Sequence, residues 1–379
     1  MTPETRSSSR GFYAVLVASA LYLALVLNRW AFTELGPASF GRVWHLFVSY
    51  WDFGVIRRSL LGTVLDTLQA RALFANDYHY AYTVHLAQLA AAFGFVTLVL
   101  RRGSVPKDAG LAAIVLASPA FLLQAAYTTG SQDVTILLLV LLAVFYAPGL
   151  AAATLLCLVG LLIHEIFLFC VPLILVLHAL APCHRDDRAA TEHLRRSLIP
   201  LAIIAAAFVV ISQGGRVAMD QAAFEAIMAA RMPDAAGIHP LWSGYFEVSS
   251  GAAANMSAAL GQSLSRHWAY LLLPIAYCAL LCAFATRAFR SHGIVAQALV
   301  ALSTLTPLVI TLVATDVYRW IGLSASLSLV ALLQALTWGG AAPRHLVPIL
   351  LPFSLLAPFG AYPWERPFPV HQAVLERWF

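Results

Sequence analysis

Long apolar runs, punctuated by short clusters of arginine, proline and glycine, are the dominant pattern along this chain. A helix needs about 20 apolar residues to cross bilayer hydrocarbon. Runs of that order occupy residues 11–28, 80–100, 109–127, 133–147, 198–213, 268–286, 294–314, 319–338 and 345–360. The run from Leu150 to Leu180 would overshoot the bilayer as one straight helix at about 1.5 Å per residue. His164-Glu165 interrupts it, and two shortened helices meeting there are expected, because a single crossing would put Arg185, Arg188, Arg195 and Arg196 on the wrong side. Irregular backbone at membrane depth is tolerated where it lines a cavity, so both residues are expected to face one. The pattern predicts an all-α protein, a polytopic transmembrane helical bundle of about eleven spans forming a single integral membrane domain over residues 1–379.

Two stretches depart from that rhythm, residues 29–79 and 214–268, which read as long polar-aromatic loops. In the first, Ile56, Leu60, Leu61, Val64, Leu65 and Leu68 recur at helical spacing, while Arg57, Arg58, Asp66 and Gln69 fall largely elsewhere around the turn. That is the pattern of a helix lying in the membrane interface. The second loop carries another such helix, Met219 to Met232, and then an aromatic segment from Ile238 to Val248.

Composition sharpens this picture. The 379 residues are 61% hydrophobic and 11% charged, against about 25% charged in soluble domains. With 23 basic and 18 acidic residues the chain carries +5. The short segments hold Arg6, Arg10, Arg101, Arg102, Lys107, Arg185, Arg188, Arg195, Arg196, Arg287, Arg290 and Arg344, which favours an inside N-terminus and both long loops outside. The apolar run after Arg10 leads into Asn28-Arg29-Trp30 without a small-residue cleavage site, so it reads as an uncleaved first helix. No nucleic-acid-binding module is visible. Cys157, Cys170, Cys183, Cys278 and Cys282 lie in or beside apolar runs and have no zinc-type pairing.

In so oily a chain each ion near lipid carries a desolvation cost, so ionic clusters are candidate sites. Ser49 to Gly62 places Asp52 ahead of Arg57 and Arg58. Tyr50, Trp51 and Phe53 would lower the hydration of Asp52, a setting that makes a carboxylate a better proton acceptor. The alternative is a helix N-cap. Arg57 and Arg58 could clamp a diphosphate or touch ordinary lipid headgroups. His164 and Glu165 form an ionisable pair in an apolar run, functional or satisfying a helix break. Asp133 could line a site or cap a helix, and Asp316 with Arg319 could belong to the site or form a local ion pair. With Asp66, these acids all fall on the same outer side. His45, His79, His85, His239 and His267 show no metal-ligand spacing, so no metal site is assigned, although carboxylates alone could hold a divalent ion.

Trp51-Asp-Phe-Gly54 in a long first outer loop with interfacial helices, a second large outer loop and the Leu162-Ile-His-Glu165 stretch resemble the GT-C superfamily of polyprenyl-phosphate-dependent membrane glycosyltransferases and related bacterial polysaccharide polymerases. The resemblance implies a sugar donor on an undecaprenyl- or dolichyl-type phosphate. It implies an acceptor that is an envelope glycan, a lipid-linked sugar or a secreted protein, and a bacterial cytoplasmic membrane with the site facing the periplasm or exterior. In that scheme Asp52 is the base, Arg57, Arg58 and Arg319 neutralise the leaving phosphate, and His164 and Glu165 orient sugar hydroxyls. The rival class is a transporter or flippase for a lipid-linked or anionic substrate.

Overall fold

The computed structural model describes residues 10–24, 43–102, 105, 108–122, 124, 132–181, 187–235, 271–312, 317–340 and 346–356. Among them every regular element is helical. The principal helices are α1 (Arg10–Ala24), α2 (Leu60–Thr67), α3 (Asp77–Leu100), α4 (Ala109–Leu116), α5 (Asp133–Phe145), α6 (Leu150–Ile163), α7 (Val171–Leu180), α8 (Asp187–Gly214), α9 (Gln221–Arg231), α10 (Leu271–Ala288), α11 (Gly293–Leu305), α12 (Val317–Thr337) and α13 (Leu346–Leu356). Among the described residues five stretches are long and apolar enough to cross a membrane: Asp77–Leu100, Glu192–Gly214, Leu271–Ala288, Arg290–Thr311 and Val317–Thr337. Asp316, the Ile238 to Val248 segment, Cys183 and residues 357–379 lie outside the described residues.

Local chemistry explains most boundaries. Asn76, Asp108 and Asp220 each accept a backbone N–H from the first turn that follows, opening α3, α4 and α9. The apolar run at 109–127 leaves helix after Leu116 and is helical again at Leu122, because Pro119 has no N–H to donate and disfavours helical geometry at the residue before it. The amphipathic stretch expected from Ile56 becomes helical only at Leu60, since Arg58 takes a left-handed backbone, φ 63°.

Contacts between helix ends fix the direction of the chain. Gln132, just before α5, donates to the Arg58 carbonyl in the first loop, and Phe145, at the far end of α5, accepts from Arg102 beyond α3. His178, near the end of α7, lies 2.7 Å from the Ala143 carbonyl at that same far end. The chain therefore climbs α6 toward the loop end, turns at His164, and returns through a 3-10 helix (Glu165–Cys170) and α7. His164 is extended, φ −161° and ψ 128°, so the run divides where an apolar stretch carries two ionisable groups. The turn is tight because Gly160 of α6 meets the Phe167 ring, where a Cβ would overlap it.

At the centre of the bundle is α12, nearly all of whose residues are buried. Its small polar side chains bond without leaving the core: Ser326 donates to the carbonyls of Ala120 and Gly322, and Gly322 lies against Gln124. Ser118, Tyr277 and Ser354 form a chain at 2.9 and 3.0 Å that joins α4, α10 and α13. By contrast α8 leaves Leu198, Ile199 and Val210 more than half exposed, as expected of a face against lipid.

The described parts of the two long loops, from residue 43 in the first and up to residue 235 in the second, form a cap with a separate apolar core. Val43, Trp44, Phe47, Val48, Phe53 and Ile56 of the first loop pack with Phe224, Met228 and Met232 of the second. The rings of Phe53 and Phe224 are 4.7 Å apart. The two expected interfacial helices, α2 and α9, meet through Arg231 of α9 and Asp66 of α2 at 3.1 Å. α2 packs directly on the preceding turn, and Gly62 is the residue that permits it, a Cβ there falling 2.7 Å from the His45 carbonyl.

Gly160→Ala should destabilise the protein by about 1–3 kcal/mol through overpacking. Adding Phe167→Leu should recover part of that loss, as read by thermal unfolding in detergent.

Candidate active site

Arg58 enters the site on strained backbone. A left-handed conformation at a bulky residue costs about 1–3 kcal/mol and persists when surroundings over-determine it. Here Arg57 N–H donates to Gly215 O at the end of α8, Gln132 donates to Arg58 O, and Ser59 Oγ donates to Ile56 O. The result aims the Arg58 guanidinium at the hairpin break. Its Nε lies 2.9 Å from both Glu165 oxygens, and Nη2 bonds Oε1. The pair joins the first loop to a turn 107 residues away.

A second pair sits on the neighbouring helices α5 and α12. Arg319 Nε lies 3.0 and 2.9 Å from the Asp133 oxygens, and Nη2 lies 2.5 Å from Oδ1. The guanidinium also rests 4.9 Å from the centre of the Trp320 ring. Asp133 is the first residue of α5, yet its carboxylate turns to Arg319 instead of capping the helix. Two arginines and two carboxylates leave the cluster without net charge, the condition under which charge is tolerated in a low-dielectric interior.

Two histidines complete it. His164 is buried, its ring 6.4 Å from that of His45. His164 Nδ1 accepts the backbone N–H of Ile166 at 3.2 Å. Nδ1 also lies 3.4 Å from Glu165 Oε2, but that oxygen already accepts from Arg58 Nε at 2.9 Å. A ring nitrogen that accepts carries no hydrogen, so neutral His164 bears its proton on Nε2 and offers a donor. Around the cluster, the side-chain Oε1 of Gln132 and the Oγ1 of Thr135 on α5, with Trp320 Nε1 and Ser324 Oγ on α12, are buried without a hydrogen-bond partner. Each such atom costs about 1–3 kcal/mol. Others lie elsewhere among the described residues, but these four adjoin the helices that supply Asp133 and Arg319, where a polar ligand could meet them. The cavity now open there, lined by Gln124, Asp133, Arg319, Trp320 and Ser326, measures about 40 Å³, room for water alone.

Asp52 belongs to a different cluster. Its carboxylate pairs with Arg231 of α9 and accepts from Ser49 Oγ at 3.1 Å, and Arg231 also reaches Asp66 at 3.1 Å and the Phe47 carbonyl at 3.2 Å. Ser49, not Asp52, is the N-cap residue of the one-turn helix Tyr50–Phe53. Beside it Arg71 bonds Asp77 at 2.5 Å and approaches Asp234 at 3.7 Å, while Asp77 and Asp234 exchange backbone bonds at 2.9 and 3.0 Å. These ions tie the cap loops together. Arg57 contributes its backbone to the Gly215 contact.

The structure thus brings together Arg58, Glu165, His164, Asp133 and Arg319, and holds Asp52 and Asp66 at the same end in the cap. Gln132, Thr135 and Arg231 carry no signal in the sequence, because nothing local distinguishes them from ordinary loop and helix residues, and His45 is weighed there only as a metal ligand. Among the described residues no three His, Cys, Asp or Glu side chains are grouped to hold a metal ion. Cys157, Cys170, Cys278 and Cys282 are buried free thiols. Comparison of the chain with protein families, curated proteins and solved structures finds no match.

Removing Arg58 or Glu165 alone should cost about 1–3 kcal/mol, each leaving a partly buried ion unpaired. Arg58→Ala with Glu165→Ala should cost less than the sum in a thermal-unfolding cycle. Burial first, and then the charge of Arg58, holds His45 well below the usual imidazole range. Below about pH 6.5 the unfolded chain binds a proton there that the folded chain refuses, so this stabilisation is full above that pH and lost as pH falls. The midpoint should drop from pH 7.5 to pH 5, and His45→Gln should shrink the drop.

Proposed function

We propose that this protein is a membrane glycosyltransferase that moves a sugar from, or between, polyprenyl-(di)phosphate-linked carriers for envelope glycan or glycoconjugate assembly. In this reading the chain makes eleven crossings of a bacterial cytoplasmic membrane, with the N-terminus inside and the loop end outside. The apolar runs of the sequence support that count, and the arginine-rich short segments support that orientation.

The observation that carries the proposal is Arg58, held on strained backbone so that its guanidinium meets Glu165 in the break of an apolar hairpin. Strain of that kind concentrates at sites where one geometry matters. A phosphate, like a carboxylate, offers two oxygens that a guanidinium can bind side by side. An incoming carrier phosphate exchanges with Glu165 on Arg58, and a second phosphate oxygen meets Arg319. Glu165, released, becomes the proton acceptor for the acceptor hydroxyl. The hydroxyl oxygen bonds the anomeric carbon, the bond from that carbon to the phosphate oxygen breaks, the hydroxyl proton passes to Glu165, and the leaving phosphate keeps the electron pair beside the arginines. His164 Nε2–H, Gln132 and Thr135 bind sugar hydroxyls, which satisfies the orphaned Gln132 Oε1 and Thr135 Oγ1. Asp133 stays with Arg319 or orients the acceptor. Asp52 closes the cap through Arg231 in this scheme.

The broken hairpin also suits a transporter, since interrupted helices commonly line translocation paths. Flux of a lipid-linked sugar across vesicles without sugar transfer would favour that reading.

With full-length protein in lipid nanodiscs and a radiolabelled polyprenyl-linked sugar, Glu165→Gln should lower transfer by about 10²–10⁴-fold, the range of a lost general base. Asp52→Asn at equal abundance should stay within about tenfold. Full activity in Glu165→Gln would sink the assignment.

A further inference from the structure

A second site, independent of the paired charges, lies between α10 and α11. Small side chains there, Ala279, Ala283 and Ala301, leave a groove of about 640 Å³, within the size range of small-molecule sites. The surrounding face is a lipid-exposed one: Leu272, Ile294, Val295 and Leu302 are each more than half exposed. The groove is polar at one end only. Thr286 and Arg287 close α10, and Gln297 lies one turn into α11, which starts from that same end. The rest, back to Ile275 and across to Leu308 and Ile321, is apolar or holds cysteine thiols.

From Ile275 to Arg287 along α10 the groove runs about 18 Å at the helical rise. One leaflet of hydrocarbon is about 15 Å deep, half the bilayer core. Its occupant needs an anionic head beside Arg287 and an apolar tail one leaflet long. We infer that this groove binds a single acidic glycerophospholipid from the leaflet at the arginine-rich end, its phosphate on Arg287 and one acyl chain between α10 and α11. A zwitterionic lipid would leave Arg287 with less charge to meet, and a polyprenyl chain is far longer than the groove. Basic pockets between membrane helices take lipid phosphates for this reason.

The test uses delipidated full-length protein in detergent, titrated with phosphatidylglycerol, phosphatidylcholine or undecaprenyl phosphate and followed by native mass spectrometry. One phosphatidylglycerol per chain should be retained with a preference of about fivefold to tenfold over phosphatidylcholine, the value of one arginine near a lipid surface. Arg287→Gln should abolish the preference, and Ala283→Trp, which fills the groove, should abolish retention of both phospholipids. Ile203→Trp on the exposed face of α8 should change neither, and unaltered thermal midpoints would show that all variants fold. Equal binding of the two phospholipids, retention by Ala283→Trp, or a preference for undecaprenyl phosphate would overturn the proposal. Competition by inorganic phosphate alone would do the same, since it would mean that the tail contributes nothing.

Discussion

Charge inside an apolar bundle has to be neutralised by something close, and in this protein that requirement is met across long distances in sequence. Glu165 and His164 stand where α6 stops, at the one place the hairpin leaves regular helix. A carboxylate there would be costly without a cation, and the cation is Arg58 from the first loop. To deliver it the loop adopts a left-handed turn, and that turn is held by Gln132 at the head of α5 and by Gly215 at the end of α8. One ion pair therefore fixes the relation of the loop, the hairpin, α5 and α8.

The hairpin also leaves backbone groups that a continuous helix would have satisfied, and their partners are specific. Ile166 N–H finds His164 Nδ1, and the Phe169 carbonyl accepts from Thr306 Oγ1 at 2.6 Å. Because those partners are polar side chains, they also settle chemistry: the Ile166 bond determines the His164 tautomer and turns its free nitrogen into a donor. Packing and reactivity here are the same set of contacts.

Elsewhere the structure is regular. Near the site the departures from regularity are the left-handed Arg58, the His164 break and orphaned atoms beside α5 and on α12, while α4, α10 and α13 are joined by buried serine and tyrosine hydroxyls. The cap follows a different logic. Its ions, Asp52 with Arg231 and Arg71 with Asp77 and Asp234, sit at a wetter edge over an aromatic core, where they hold two loops in register. The strained Arg58 stands at the boundary between the two regions, part of the first loop by sequence and bound to the hairpin break by its side chain.

Much of this was written in the one-dimensional pattern. The apolar runs specify helices because a bilayer offers backbone no other partner, and the divided run at 150–180 announces its break through two ionisable residues that no straight span would keep. The alternation of arginine-rich segments and long loops specifies which helix ends lie together. Helix ends depending on single residues, such as the stop before Pro119 and the delayed start at Leu60, needed the three-dimensional backbone. So did the pairing of ions. Asp52 is six residues from Arg58 and looks like its partner, yet Arg58 belongs to Glu165 and Asp52 to Arg231; Arg319 lies near Asp316 in sequence and bonds Asp133. Local spacing shows only that charges are present, whereas the choice among partners is made by which side chains share a low-dielectric pocket once the helices have packed. That choice is a property of the tertiary structure alone.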